Sequence, residues 1–128
     1  MGFFSKLQTK LAEPPEVFEA RSIRDWCDGL GGVTPIVDAV PRTRTRVAGV
    51  VQSIKVIPGD ETSTLEVSVY DGTGDVVGVW VGRKRIKGID LGAHIAFEGT
   101  LSDLDEARGV PALKILNPSY DLLPAEIH

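Results

Sequence analysis

YDGTGDVVGVWVGRKRI, residues 70–86, decides how the rest of the chain reads. Asp71-Gly72-Thr73-Gly74 is a turn sequence, because glycine tolerates the positive φ that tight hairpin turns demand. Before it, the stretch from Thr64 alternates, with Leu65, Val67 and Val69 on one face and Glu66, Ser68 and Tyr70 on the other. After it, Asp75 to Gly82 is almost continuously apolar, as a buried strand should be. The expectation is a β-hairpin whose second strand ends in a run of cations, Arg83, Lys84, Arg85 and Lys87.

Strands extend in both directions from this hairpin. Arg42 to Pro58 is long and rich in Val and Ile, and Gly49 marks a bulge or sharp bend within it. Pro58 to Ser63 is a turn. Gly82 to Gly92 is too polar and too glycine-rich for a strand core and has room for a short helical turn. His94 to Ser102 is a fourth strand, with Ile95, Phe97 and Gly99 alternating against Ala96 and Glu98. Asp103 to Gly109 reads as a loop, and Val110 to Asn117 as a fifth strand. Pro111 puts the start of that strand on an edge or at a bulge. Ser119 to His128 carries no clear assignment. Five strands, a long bent first strand and a crossover between the third and fourth close most economically as a partly open Greek-key barrel.

The first thirty residues are helical in pattern. Phe3, Phe4, Leu7 and Leu11 recur at the helical period until Pro14-Pro15 interrupts them. A second helix runs from Pro15 to about Leu30, with Val17, Phe18, Ile23, Trp26, Cys27 and Leu30 as its apolar positions. Gly29, Gly31 and Gly32 end it. This stripe either packs on the domain or docks a protein partner. The expected organisation is mainly β: a helical extension over residues 1–33, a barrel over 34–119 and a tail over 120–128.

At 128 residues the chain suits one domain. Its apolar content of 42% supports a core, but no run approaches the roughly 20 apolar residues of a spanning helix, so no membrane partner is expected. The start lacks the apolar stretch of a secretory signal, and Lys6 stands where a myristoylation signal wants Ser or Thr. A single Cys27 provides no disulfide framework and fits a reducing cytoplasm. A net charge of -4 excludes a globally basic nucleic-acid binder, so distribution matters more than the sum. Eight Lys or Arg residues lie between Arg42 and Lys87, whereas Ser102 to His128 holds two against five acids. The basic residues bracket the middle of the chain.

RTRVAGVVQSIKV, LEVSVYDGTGDVVGVWVG and GIDLGAHIAFEGTL together resemble an OB-fold domain of the anticodon-binding type. The arrangement is similar to the wedge domain of branch-migrating DNA helicases and to the OB domains of class II aminoacyl-tRNA synthetases. The whole chain also resembles small stand-alone actinobacterial OB-fold proteins, through Thr34-Pro35-Ile36, the arginines of the first strand and Trp80 to Ile86. The barrel resemblance covers roughly Thr43 to Asn117. It implies single-stranded or structured DNA or RNA as partner. It carries over no enzymatic activity, since no helicase or synthetase domain is attached. Strands of this kind bury alternate residues after the turn, which implies that Trp80 faces the core with Val76.

Nucleic-acid binding of this sort needs cations along the phosphates and aromatic faces for bases. Arg42, Arg44 and Arg46 have the i, i+2 spacing that puts three residues on one side of an extended strand. Lys55 adds a cation further along the same strand. The resemblance places Arg83, Lys84, Arg85 and Lys87 near the binding rim. The alternative for all of these is a solvated charged rim. Tyr70 points outward, either to stack on a base or to cover the N-terminal helix. The acidic stretch Ser102 to Glu106 departs from what an oligonucleotide-binding loop usually carries.

Other chemistries find no residue set. Gly29 to Gly32 follows no strand and stops a helix rather than holding a dinucleotide. Asp71 and Asp75 lack calcium-loop spacing and serve the turn. His94 and His128 have no ligand partners at metal-binding spacing, and no nucleophile motif is present. No cofactor, no metal and no catalysis are expected. The rival to nucleic-acid binding is a protein-interaction module of the same fold, docking through the N-terminal helices.

Overall fold

The computed structural model describes residues 15–105 and 110–125. The expected first helical segment, with Phe3, Phe4, Leu7 and Leu11, lies outside the described residues. Helix α1 (Pro15–Asp28) is followed by a single 3-10 turn (Ile36–Asp38) and six strands. These are β1 (Arg44–Ile57), β2 (Thr64–Tyr70), β3 (Asp75–Val81), β4 (His94–Asp105), β5 (Val110–Leu116) and β6 (Ser119–Leu123).

The hairpin at residues 64–81 forms as its pattern predicts. Leu65, Val67 and Val69 are buried, and the register runs from Thr64 opposite Val81 to Tyr70 opposite Asp75. Gly72 takes φ +91° in the turn. Strand β1 is long because it pairs twice. Its first half lies antiparallel to β4, and its second half antiparallel to β2, with Val50 opposite both His94 and Tyr70. With β3 parallel to β5 and β5 antiparallel to β4, five strands form a ring. This mainly-β ring is consistent with the OB-like barrel expected.

Two details of β1 differ from the sequence reading. The bulge falls between Val51 and Ser53, not at Gly49. Gly49 instead allows a close approach, since a side-chain carbon there would collide with the Tyr70 carbonyl. Arg42 also stands outside the strand, with φ 68°, and its backbone N–H donates to the Leu101 carbonyl at 2.7 Å. Strand alternation therefore does not align Arg42 with Arg44 and Arg46.

The C-terminal half brings three corrections. No helical turn interrupts the connection of residues 82–93, which instead turns twice and buries Ile86 and Ile89 in the core. Strand β4 runs on to Asp105, so Asp103 to Asp105 is strand rather than loop, with an irregularity in the register between Ser102 and Leu104. Residues 119–123 are β6, antiparallel to β4 from Glu98 opposite Ser119 to His94 opposite Leu123. The expected boundary at residue 120 thus falls inside a strand. Asn117, at φ 50°, and Pro118 separate β5 from β6, so one edge of β4 is served by two successive short strands.

The interior is filled by Val47, Val51, Leu65, Val67, Val69, Val76, Trp80, Ile95, Phe97, Leu101 and Ile115. Trp80 faces inward, edge-on to Phe97 with ring centroids 5.5 Å apart. Gly78 makes room for the pair, since a side-chain carbon there would lie 2.7 Å from the Phe97 ring.

Helix α1 is fastened outside this ring at three points. Trp26 Nε1–H donates to the Pro124 carbonyl at 3.0 Å, and its ring meets His94 edge-on at 4.6 Å. The Cys27 thiol is buried and donates to the Ala48 carbonyl. Burial pushes its pKa up to about 11, which keeps it protonated and unreactive at neutral pH. The third point is Asp71. Its Oδ1 accepts from the Thr73 backbone N–H (2.8 Å), the Thr73 hydroxyl (2.6 Å) and the Gly74 N–H (3.1 Å). Its Oδ2 accepts from the Ile36 N–H (2.8 Å) and Arg24 Nη1 (3.2 Å). Asp71 therefore serves its turn, as expected, and also holds the helix and the 3-10 turn against it. It is only 1% exposed, so losing the carboxylate strands several donors away from water.

Asp71→Ala should lower unfolding free energy by about 3 kcal/mol, the scale for removing one partner of a buried ion pair. Urea denaturation of wild type and variant measures it. Burial also lowers the pKa of His94 below its ordinary 6.5. The unfolded chain then takes up the proton first, so stability held above about pH 6.5 falls as the pH drops below it. Melting temperature should decline between pH 7.5 and pH 5.5, and the decline should be smaller in His94→Gln.

Candidate nucleic-acid interface

The eight cations between Arg42 and Lys87 separate into two groups with different electrostatic fates. The first lies on the outer surface of β1, β4 and β6. Arg46 is opposite Glu98 in register, and its guanidinium pairs with Glu98 (3.6 Å) and with Asp121 (2.9 Å). Arg44 pairs with Glu98 at 3.3 Å. Two arginines are thus shared between two acids, and the strand alternation that aligned the arginines also aligned their partners across the sheet. Arg42 is exposed and stands apart from this network at the strand's approach.

The second group sits on the connection between β3 and β4. Arg83, Lys84, Arg85 and Lys87 are all exposed, and among the described residues none lies within ion-pairing distance of an acid. Their backbone is held from both sides. Ile86 and Ile89 insert into the hydrophobic core between and beyond the cations, and the Gly82 N–H donates to the Ser63 carbonyl at 2.7 Å. At the other end the Gly92 N–H donates to the Val51 carbonyl at 2.9 Å. Apolar anchors alternating with cations explain why the run reads as polar yet does not float free of the fold.

Lys55 belongs with this second group by position. It lies near the end of β1, opposite Glu66, and Thr64 two residues earlier pairs with Val81, from which the connection departs. Asp60 and Glu61 are exposed in the neighbouring β1–β2 turn and temper the local positive charge. The acids of β4 lie elsewhere. Ser102 is opposite Lys114, which is opposite Val77, so the β4–β5 hairpin extends past the start of β3, away from the cations.

Tyr70 is half-buried and on the outward face of β2, as its alternation indicates. It is paired with Asp75 at the turn end of the hairpin, about 20 Å along the strand from the Thr64–Val81 pair at ~3.3 Å per residue. The structure therefore does not bring it to the start of the cationic run. Tyr120 occupies a different place. On β6 it faces the same side as Phe97, and its ring meets Trp80 edge-on at 6.2 Å. It remains 37% exposed. The sequence reading passed over it in the unassigned tail, although Tyr120 and Leu122 alternate with Ser119 and Asp121 in the pattern of a short strand. Among the described residues no cluster of His, Cys, Asp or Glu could hold a metal ion, and no helix is long and apolar enough to cross a membrane.

No protein-family model matches the sequence, and no curated protein matches it. Among solved structures the chain is similar to RecG bound to a three-way DNA junction, with a TM-score of 0.60 and 15% identity. The match covers 71% of this chain and 12% of that one. At such identity the likeness concerns the fold, and this chain spans about an eighth of its neighbour.

Arg46→Ala should cost about 0.5–1 kcal/mol, because its two ion pairs are partly exposed and screened by solvent. The loss should shrink at high salt, which urea midpoints at low and at molar sodium chloride would measure.

Proposed function

We propose that this protein is a non-catalytic nucleic-acid-binding barrel of the OB type, and that the β3–β4 connection is its phosphate-contacting element. The observation that carries this reading is the set Arg83, Lys84, Arg85 and Lys87: four exposed cations on an anchored backbone, unpaired among the described residues. Cations already matched by carboxylates gain little from a phosphate, because the first pair must be broken. Unmatched ones release condensed counterions when they bind, which drives association. Lys55 extends this set along β1. Arg44 and Arg46 contribute less, since Glu98 and Asp121 already occupy them. The likeness of fold to a protein bound to a DNA junction supports the same class of ligand.

A second reading, docking of a protein partner, is favoured by one specific feature. Val81 and Leu116 lie on the outer face of β3 and β5 and are 54% and 64% exposed. Apolar docking there would be nearly indifferent to salt.

Fluorescence anisotropy with labelled single-stranded DNA and RNA separates the two. If the four cations each meet a phosphate, affinity should fall about 50-fold between 50 and 200 mM salt, at ~0.7 in log–log slope per contact. Arg83→Glu, Lys84→Glu and Arg85→Glu together should abolish binding at low salt. Absence of binding in the wild type at low salt, or binding that ignores both salt and the charge reversal, would overturn the reading.

A further inference from the structure

We infer that Tyr120 is the base-stacking residue of this site, which makes a single strand with accessible bases its ligand. The inference rests on the phosphate-contacting role just given to the β3–β4 connection. Three features of the structure place Tyr120 beside it. The Tyr120 ring touches Trp80, and the cationic run begins three residues later, at Arg83, within roughly 10 Å of chain. The connection then returns alongside β6, since a side-chain carbon at Gly88 would collide with Leu122, two residues from Tyr120. Strand β5 keeps parallel pairing with β3 only as far as Val79 opposite Leu116, beyond which the chain turns at Asn117 and follows β4. Tyr120 thus stands where β3 and the β5–β6 line part, with the connection across from it.

Stacking requires a ring that is exposed and yet held still. Tyr120 is 37% exposed, while the buried Trp80 and the pairing with Phe97 on β4 fix its position. The other described rings do not meet both conditions next to the cations. Trp80 and Phe97 are buried, Trp26 is engaged by Pro124 and His94, and Tyr70 lies towards the turn. A base on Tyr120 with its flanking phosphates on Arg83, Lys84 and Arg85 is an arrangement a duplex cannot offer, because its bases are already stacked.

The test uses the full chain and a labelled single-stranded DNA, compared with a strand of equal length in which the bases are removed at internal positions. Tyr120→Leu, which keeps apolar packing on Trp80, should weaken binding of the intact strand roughly 5- to 100-fold, while Tyr120→Phe stays near wild type. The wild type should prefer the intact strand to the abasic one, and Tyr120→Leu should lose that preference. Circular-dichroism melts of both variants verify that they are folded. The inference is overturned if Tyr120→Leu keeps both its affinity and its preference for bases, or if Tyr70→Ala removes that preference instead. Failure of the phosphate-contact reading looks different, because then the charge-reversed protein binds as well as the wild type whatever stands at position 120.

Discussion

The ring of strands depends on the point in β1 where pairing passes from one neighbour, β4, to the other, β2. Val50 sits opposite His94 on one side and Tyr70 on the other. A strand can serve two neighbours at an acute angle only if its backbone comes very near one of them, and Gly49 has no side chain to prevent it. The bulge that follows between Val51 and Ser53 adds local twist and lets the second half of β1 turn towards β2. Closure removes most free edges, and with them the open backbone donors and acceptors that a flat sheet would present.

Among the described residues, hydrogen bonds and one ion pair fasten the helix to the rest of the fold. Asp71 gathers donors from its own turn, from Ile36 and from Arg24, which joins segments nearly fifty residues apart through one carboxylate. An ion that is so deeply buried is tolerated only because its lone pairs are satisfied and a guanidinium faces it. Trp26 and Cys27 add a hydrogen bond each, to the Pro124 and Ala48 carbonyls. Helix, hairpin turn and C-terminal strand are consequently held to one another.

The same pairing rules sort the surface charge. Side chains opposite each other across a sheet are about 5 Å apart, so Arg46 finds Glu98 by register, Arg44 reaches the same acid diagonally from opposite Thr100, and Asp121 meets Arg46 once β6 is laid against β4. A connection outside any sheet has no register and no such partners. Its cations stay open to solvent while its isoleucines are drawn into the core. Strong local charge on a chain with net charge -4 is therefore compatible with the overall balance.

The hairpin, α1, the alternation of β2 and the burial of Trp80 were legible because each depends on local periodicity or turn chemistry. Five of the six strands were read in place, with β4 extended by three residues at its end. Strand β6 escaped because five residues, mostly exposed, carry too little apolar alternation to stand out from a tail. The candidate cations were all visible as residue types, yet nothing in their spacing distinguished Arg46 from Arg83. Only the tertiary structure made that distinction, by bringing Asp121 across 75 residues to Arg46 and leaving the cations of the connection unpaired among the described residues. Local pattern determines which backbone each segment adopts. Which charges remain free, and which aromatic ring stands beside them, is decided by contacts between segments that the chain order does not record.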